Sequence, residues 1–136
     1  NLDKKYVFEF ESEPQCETEF IRGDEVLIKR AITNLIQNSI NHNANGCKIT
    51  ISVTCSEKEI AIVVSDNGVG VSAEKLKALN SKTHYLESTD RTLHLRHGLG
   101  VLLVRQIVEA HNGIMQILSK EQKGYETTLI FPKTKY

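Results

Sequence analysis

Between Asp24 and His42 the apolar side chains Leu27, Ile28, Ala31, Ile32, Leu35, Ile36 and Ile40 recur at helical spacing on one face. Such a stretch folds as a long amphipathic helix, and its single apolar stripe has to be covered by another layer. Asp24 stands where an N-cap belongs, and Asn43-Ala44-Asn45-Gly46 favours the turn and left-handed conformations that end a helix. The period then changes to two. Ile49, Ile51, Val53 and Cys55 alternate with Thr50, Ser52 and Thr54, and Ile60, Ile62 and Val64 alternate with Ala61, Val63 and Ser65. Ser56 to Glu59 reads as the loop of a hairpin. Tyr6 to Phe10, ahead of Pro14, reads as an early edge strand. Ser72 and Glu74 open a short helix to Leu79, and Leu102, Leu103, Ile107 and Ala110 mark another that stops at His111-Asn112-Gly113. Strands at Ile114 to Leu118 and Thr127 to Phe131 close the chain before Pro132. The pattern predicts one domain over 1–136, an α/β (α+β) two-layer sandwich with helices on one face of a mixed, largely antiparallel sheet. Residues 80–97 lack an apolar period and read as a ligand-closing loop.

Charge narrows the partners. Lysine plus arginine equals aspartate plus glutamate at 17 each, so no long-range positive field is present to neutralise phosphates, and nucleic acid is excluded. Apolar runs such as Ile60 to Val64 and Val101 to Val104 fall far short of the roughly 20 residues that cross a bilayer, so no direct membrane contact is expected. Asn1-Leu2-Asp3-Lys4-Lys5 shows no signal-type apolar core. Cys16, Cys47 and Cys55 form an odd set without C-x-x-C spacing and read as reduced thiols in a cytosolic compartment. A metal site of cysteine and histidine is not expected, because no histidine stands at ligand spacing to a cysteine pair.

Three features carry chemistry. Arg30, Asn34, Asn38 and His42 recur at i, i+4 along the first helix, a polar row in which Asn38 can offer an amide oxygen to a hard cation such as Mg²⁺. Asp66-Asn67-Gly68-Val69-Gly70 places a carboxylate just past a strand, among glycines that allow close backbone approach. His97-Gly98-Leu99-Gly100 opens a helix whose free amides form an anion site. Each feature alone is ordinary.

In this order and at these separations they resemble the GHKL ATPase superfamily and, within it, the ATP-binding catalytic domains of bacterial sensor histidine kinases. Asn34-Leu35-Ile36-Gln37-Asn38-Ser39-Ile40 is similar to the N box and Asp66 to Gly70 to the first glycine box. Gly98 to Gly100 with Ile107 to Gly113 is similar to the second glycine box and its helix, and Leu129-Ile130-Phe131-Pro132 fits the closing strand. The resemblance implies that Asp66 accepts a hydrogen bond from the adenine amine, where guanine would present a carbonyl oxygen. It implies that Asn38 holds Mg²⁺ and, with Asn34, serves the phosphates catalytically. The amides of Gly98, Leu99, Gly100 and Val101 receive the triphosphate, and Gly68 and Gly70 admit the nucleotide. Asn41, His42, Val71, His97 and Thr128 complete the implied ATP contacts. Hydrolytic relatives would need a glutamate base near Asn34, and an amide takes no proton from water. Transfer to a histidine fits better, because neutral imidazole is already nucleophilic.

The sequence also departs from the family pattern. Asn80 to Arg96 contains no phenylalanine, with Tyr85 or Leu86 the only loose substitutes for the family's phenylalanine box. Asn41 stands where many such kinases carry lysine, so Arg91, Arg96 or His97 would contact phosphate. None of His42, His84, His94, His97 and His111 has the context of an acceptor on a dimerising helix. The acceptor domain is therefore expected upstream in a parent protein anchored in the inner membrane, this domain being cytoplasmic and monomeric alone, with a response regulator downstream. Two alternatives stand beside this reading: a regulatory nucleotide-binding module without catalysis, and a serine kinase of the anti-sigma type.

Overall fold

The computed structural model describes residues 5–81 and 99–134. Five strands form one sheet: β1 (Tyr6–Ser12), β2 (Cys47–Cys55), β3 (Glu59–Asp66), β4 (Ile114–Ser119) and β5 (Tyr125–Pro132), in the order β1-β2-β3-β5-β4. β1 pairs with β2 in parallel, and the other three pairings are antiparallel, so the sheet is mixed and largely antiparallel as expected. The helices are α1 (Glu25–His42), α2 (Ala73–Asn80) and α3 (Leu99–Ala110), and a 3₁₀ turn, Pro14–Thr18, follows β1. The segment read as a ligand-closing loop falls almost wholly on 82–98, outside the described residues.

Strand register explains why one side of the sheet carries the core. Across it run Ile49 beside Asp66, Val64 beside Thr127, and Leu129 between Ile62 and Met115. Ile49, Val64, Ile117, Leu129 and Phe131 from this side pack with Ala31 and Leu35 of α1 and Val101, Val104 and Val108 of α3 in one buried cluster. Thr127 shares that side and is buried, whereas alternation turns Thr128 to the opposite face. Phe8 and Phe10 continue the helix-facing row beyond the helices and stay 56% and 67% exposed.

Local chemistry fixes the element ends. Asp24 Oδ1 accepts from the amides of Val26 (2.9 Å) and Leu27 (3.2 Å), satisfying two of the donors that a helix start leaves open. Ser72 Oγ caps α2 through the Lys75 amide at 3.2 Å. His111 joins two helix ends. Its Nδ1 donates to the Ile107 carbonyl at 2.7 Å and its Nε2 accepts from the Asp24 amide at 2.9 Å, which fixes the neutral tautomer protonated at Nδ1. At the other end of α2, Asn80 exchanges hydrogen bonds with the backbone of Ile117 (3.0 and 3.2 Å), and buried Arg105 donates to the Leu79 carbonyl at 3.0 Å. Among the described residues no helix is long and apolar enough to cross a membrane.

Candidate functional site

Asp66 is the last residue of β3 and is buried where α1 crosses the sheet. Its Oδ2 accepts from Ser39 Oγ at 2.7 Å and its Oδ1 from the Gly68 amide at 2.9 Å. A carboxylate offers about four lone-pair sites, so two fixed bonds orient the group and leave capacity for an outside donor. Asn43, one residue past α1, holds the turn from its other side. Its Oδ1 accepts from the Val69 amide at 2.9 Å, its Nδ2 donates to the Ser39 carbonyl at 2.8 Å, and its own carbonyl accepts from Tyr6 Oη at 2.7 Å.

The same packing supplies the reason for the glycines. A Cβ on Gly68 would collide with the Asn43 side chain, and one on Gly70 with the Lys120 carbonyl at a φ of +66°, a region L side chains avoid. These glycines are therefore required by the domain's own packing, whatever else approaches them. Gly100 is different: a side chain there would begin 3.3 Å from Asn38 Oδ1, so its absence lets the start of α3 lie against the polar row of α1.

A small cavity opens at this meeting point. Asn38, Ser39, His42 and Asn43 line it from α1 and its end, Asp66 from the end of β3, Gly70 and Val71 from the loop after it, and Tyr125 from β5. Asn38 Nδ2 is buried here without a hydrogen-bond partner among the described residues, which is costly unless a ligand or water meets it. Cys47 lies nearby. Burial, followed by the Asp66 charge, pushes its thiol up, and a hydrogen bond to Asn43 opposes this.

The other expected residues are spread more widely. Asn34 lies one turn before Asn38, half-buried and outside the cavity lining. Asn41 is exposed and accepts from Gln37 Nε2 at 2.9 Å. Arg30 points to solvent. Val101 is fully buried in the core. Thr128, on the opposite sheet face, is not brought to the cavity, and the closing strand contributes Tyr125 instead. His97 and Gly98, like Tyr85, Leu86, Arg91 and Arg96, lie outside the described residues, as does the side chain of Leu99. Sequence reasoning missed Ser39, Asn43 and Tyr125. A signal for Ser39 existed: it continues the Ala31, Leu35 row at i+4, where a buried helix face calls for an apolar residue.

Comparison with known proteins decides the family. The sequence profile described as histidine kinase-, DNA gyrase B- and HSP90-like ATPase matches residues 23–135. The chain belongs to this ATPase family. Its similar relatives include the sensor protein DegM of Bacillus sp. strain B21-2, 32% identical over 117 residues that make up 86% of this chain and 30% of DegM. The phosphate regulon sensor protein PhoR of Haemophilus influenzae is 32% identical over 113 residues, 83% of this chain and 27% of PhoR. The chain thus spans under a third of the length of these curated relatives. In three dimensions it is similar to the catalytic domain of histidine kinase ThkA, with a TM-score of 0.75 at 24% identity over 96% of this chain and 82% of that one. The mycobacterial sensor histidine kinase MprB gives 0.71 at 19% identity over 95% and 83%. The two-layer sandwich is therefore that of histidine kinase catalytic domains, and the cavity lies between Asn34 to Ile40 and Asp66 to Gly70, two segments that resemble motifs of the ATPase family.

Proposed function

We propose that this chain binds Mg-ATP and passes the γ-phosphoryl group to a histidine on a dimerisation domain of its parent sensor kinase, in two-component signalling. The observation that carries the reading is the anchored Asp66 carboxylate, which keeps acceptor capacity beside a cavity that also holds the unpartnered amide of Asn38. An exocyclic adenine amine satisfies that carboxylate, whereas the guanine carbonyl meets it oxygen to oxygen.

Asn38 would offer Mg²⁺ its amide oxygen beside phosphate oxygens, a hard donor suited to an ion that keeps most of its waters, while its buried Nδ2, which meets no described residue, is free to donate to a phosphate oxygen. Bound there, the ion would neutralise phosphate charge. Gly100 keeps the start of α3 close to Asn38, so backbone amides and the amide side chain serve the same triphosphate. Asn34 orients rather than deprotonates, which favours transfer to an imidazole over hydrolysis or serine phosphorylation. On this reading the domain works on the cytoplasmic side of a membrane-anchored parent, and a response regulator takes the phosphoryl group onward.

Calorimetry with ATP and GTP tests the site. Saturable Mg²⁺-dependent binding of ATP, at least ~10-fold tighter than GTP and lost in Asp66→Asn, is the expected result. Nucleotide-blind or Asp66-independent binding sinks the assignment. Incubation with γ-labelled ATP should leave the chain unlabelled and label a separately supplied acceptor-histidine domain of the parent. Binding without transfer would identify a regulatory module that has lost catalysis.

A further inference from the structure

Cys55 closes β2 roughly 20 Å along the strand from the Asp66 end, at about 3.3 Å per residue. There it meets Glu13, just after β1, and Cys16, inside the 3₁₀ turn. One carboxylate oxygen of Glu13 and the two Sγ atoms all lie within 4.8 Å of one another. The backbone holds them there: the Glu13 amide donates to the Val53 carbonyl at 3.1 Å and the Cys16 amide to the Glu13 carbonyl at 2.9 Å. Glu13 Oε1 accepts from the Cys55 amide at 3.1 Å and from Cys16 Sγ at 3.9 Å. Cys16 is buried while Glu13 and Cys55 are half-buried, so the cluster has an interior wall and an open side.

We propose that Glu13, Cys16 and Cys55 form a binding site for a borderline-to-soft divalent cation of the Zn²⁺ class, with water as the fourth ligand. Two thiolates and a carboxylate at these separations match the donors and four-coordinate geometry of Zn²⁺. Mg²⁺ is a hard ion that takes oxygen ligands, so the two sites differ in chemistry as well as position. Charge argues in the same direction. With a cation bound the three ligands are anionic, and among the described residues the cation acting on Cys16 is Lys133, whose amine is shared with Glu19 at 3.5 Å. Burial, followed by the hydrogen bond and charge of Cys55 and the charge of Glu13, raises the Cys16 thiol to about 11. On binding, two metal–sulfur bonds and one metal–oxygen bond form, the two S–H protons pass to solvent, and no group is oxidised or reduced. The ion would tie the turn ahead of α1 to the end of β2.

Titration of the reduced 136-residue chain with Co²⁺ and then Zn²⁺ tests this without nucleotide, so the outcome is independent of the ATP reading. One equivalent of Co²⁺ should give thiolate charge-transfer absorption and tetrahedral d–d intensity, both bleached by Zn²⁺, with about two protons released per ion. Cys16→Ser and Cys55→Ser should each weaken uptake by at least ~10-fold, while Cys47→Ser leaves it unchanged. In the unmutated chain Zn²⁺ should shield Cys16 and Cys55 from alkylation and leave the rate at Cys47 unaltered. Absence of saturable uptake overturns the proposal, as does uptake that neither protects these thiols nor responds to their substitution. Conversion of the pair to a disulfide with no metal bound would overturn it in favour of a redox pair.

Discussion

Asp66 is oriented before any ligand arrives, because Ser39 and the Gly68 amide already hold both of its oxygens. Its charge also reaches Cys47, where it adds to burial in holding the thiol up. Asp66→Asn should therefore speed alkylation of Cys47 near neutral pH, though not to the rate of an exposed thiol, since burial is the larger cause and persists. A thiol raised in the folded state contributes stability below its ordinary 9.0 and loses it as pH climbs through the higher folded value; in Cys47→Ser the alkaline fall in stability should be shallower in denaturant titrations. Gly68→Ala drives a methyl into Asn43 and should destabilise by about 1–3 kcal/mol. Because a Cβ on Gly23 would strike the His111 ring, Gly23→Ala should cost less in a His111→Ala background than alone, as a double-mutant cycle would measure. At this scale the sequence revealed residues that break a local pattern: Asn38 interrupts an amphipathic helix, and Asp66 ends an apolar strand. Asn43 and Tyr125 stayed hidden, because what ties them to the site lies 26 residues away or on another strand, and Ser39 left only the trace of a polar residue in a buried row.

Helices and antiparallel strands were legible because each is written in a local period and closed by a local cap. α1 begins at Glu25 behind Asp24, and α2 at Ala73 behind Ser72. Replacing Asp24 with alanine should cost about 0.5–2 kcal/mol in denaturant melts, with the loss concentrated in amide exchange of the first turn of α1. Two features were not legible. The 3₁₀ turn Pro14–Thr18 has no periodic signal, since one tight turn is too short to show one. The parallel pairing of β1 with β2 is a crossover contact across α1, and alternation in a strand states which face is buried without naming its neighbour. The cluster of Glu13, Cys16 and Cys55 escaped for the same reason, as it exists only once that pairing is made.

Across the whole molecule, β3 and β5 pair in the middle of the sheet, and Leu129 of β5 lies fully buried in the cluster shared with α1 and α3. Leu129→Ala should lower unfolding free energy by about 2–5 kcal/mol, and chemical denaturation should show the whole sheet failing together rather than one strand at a time. β1 is one of the two edge strands of the sheet, and its Phe8 and Phe10 stay exposed. Its first residue nevertheless reaches inward: Tyr6 Oη holds the Asn43 carbonyl, while the Asn43 side chain holds the Val69 amide in the turn after Asp66. A slip of β1 by one position along β2 would flip Tyr6 to the far side of the sheet and strip Asn43 of that contact. This edge ribbon is thus wired by two links to the turn beside the cavity, so sliding at the rim would be felt as slack at the centre.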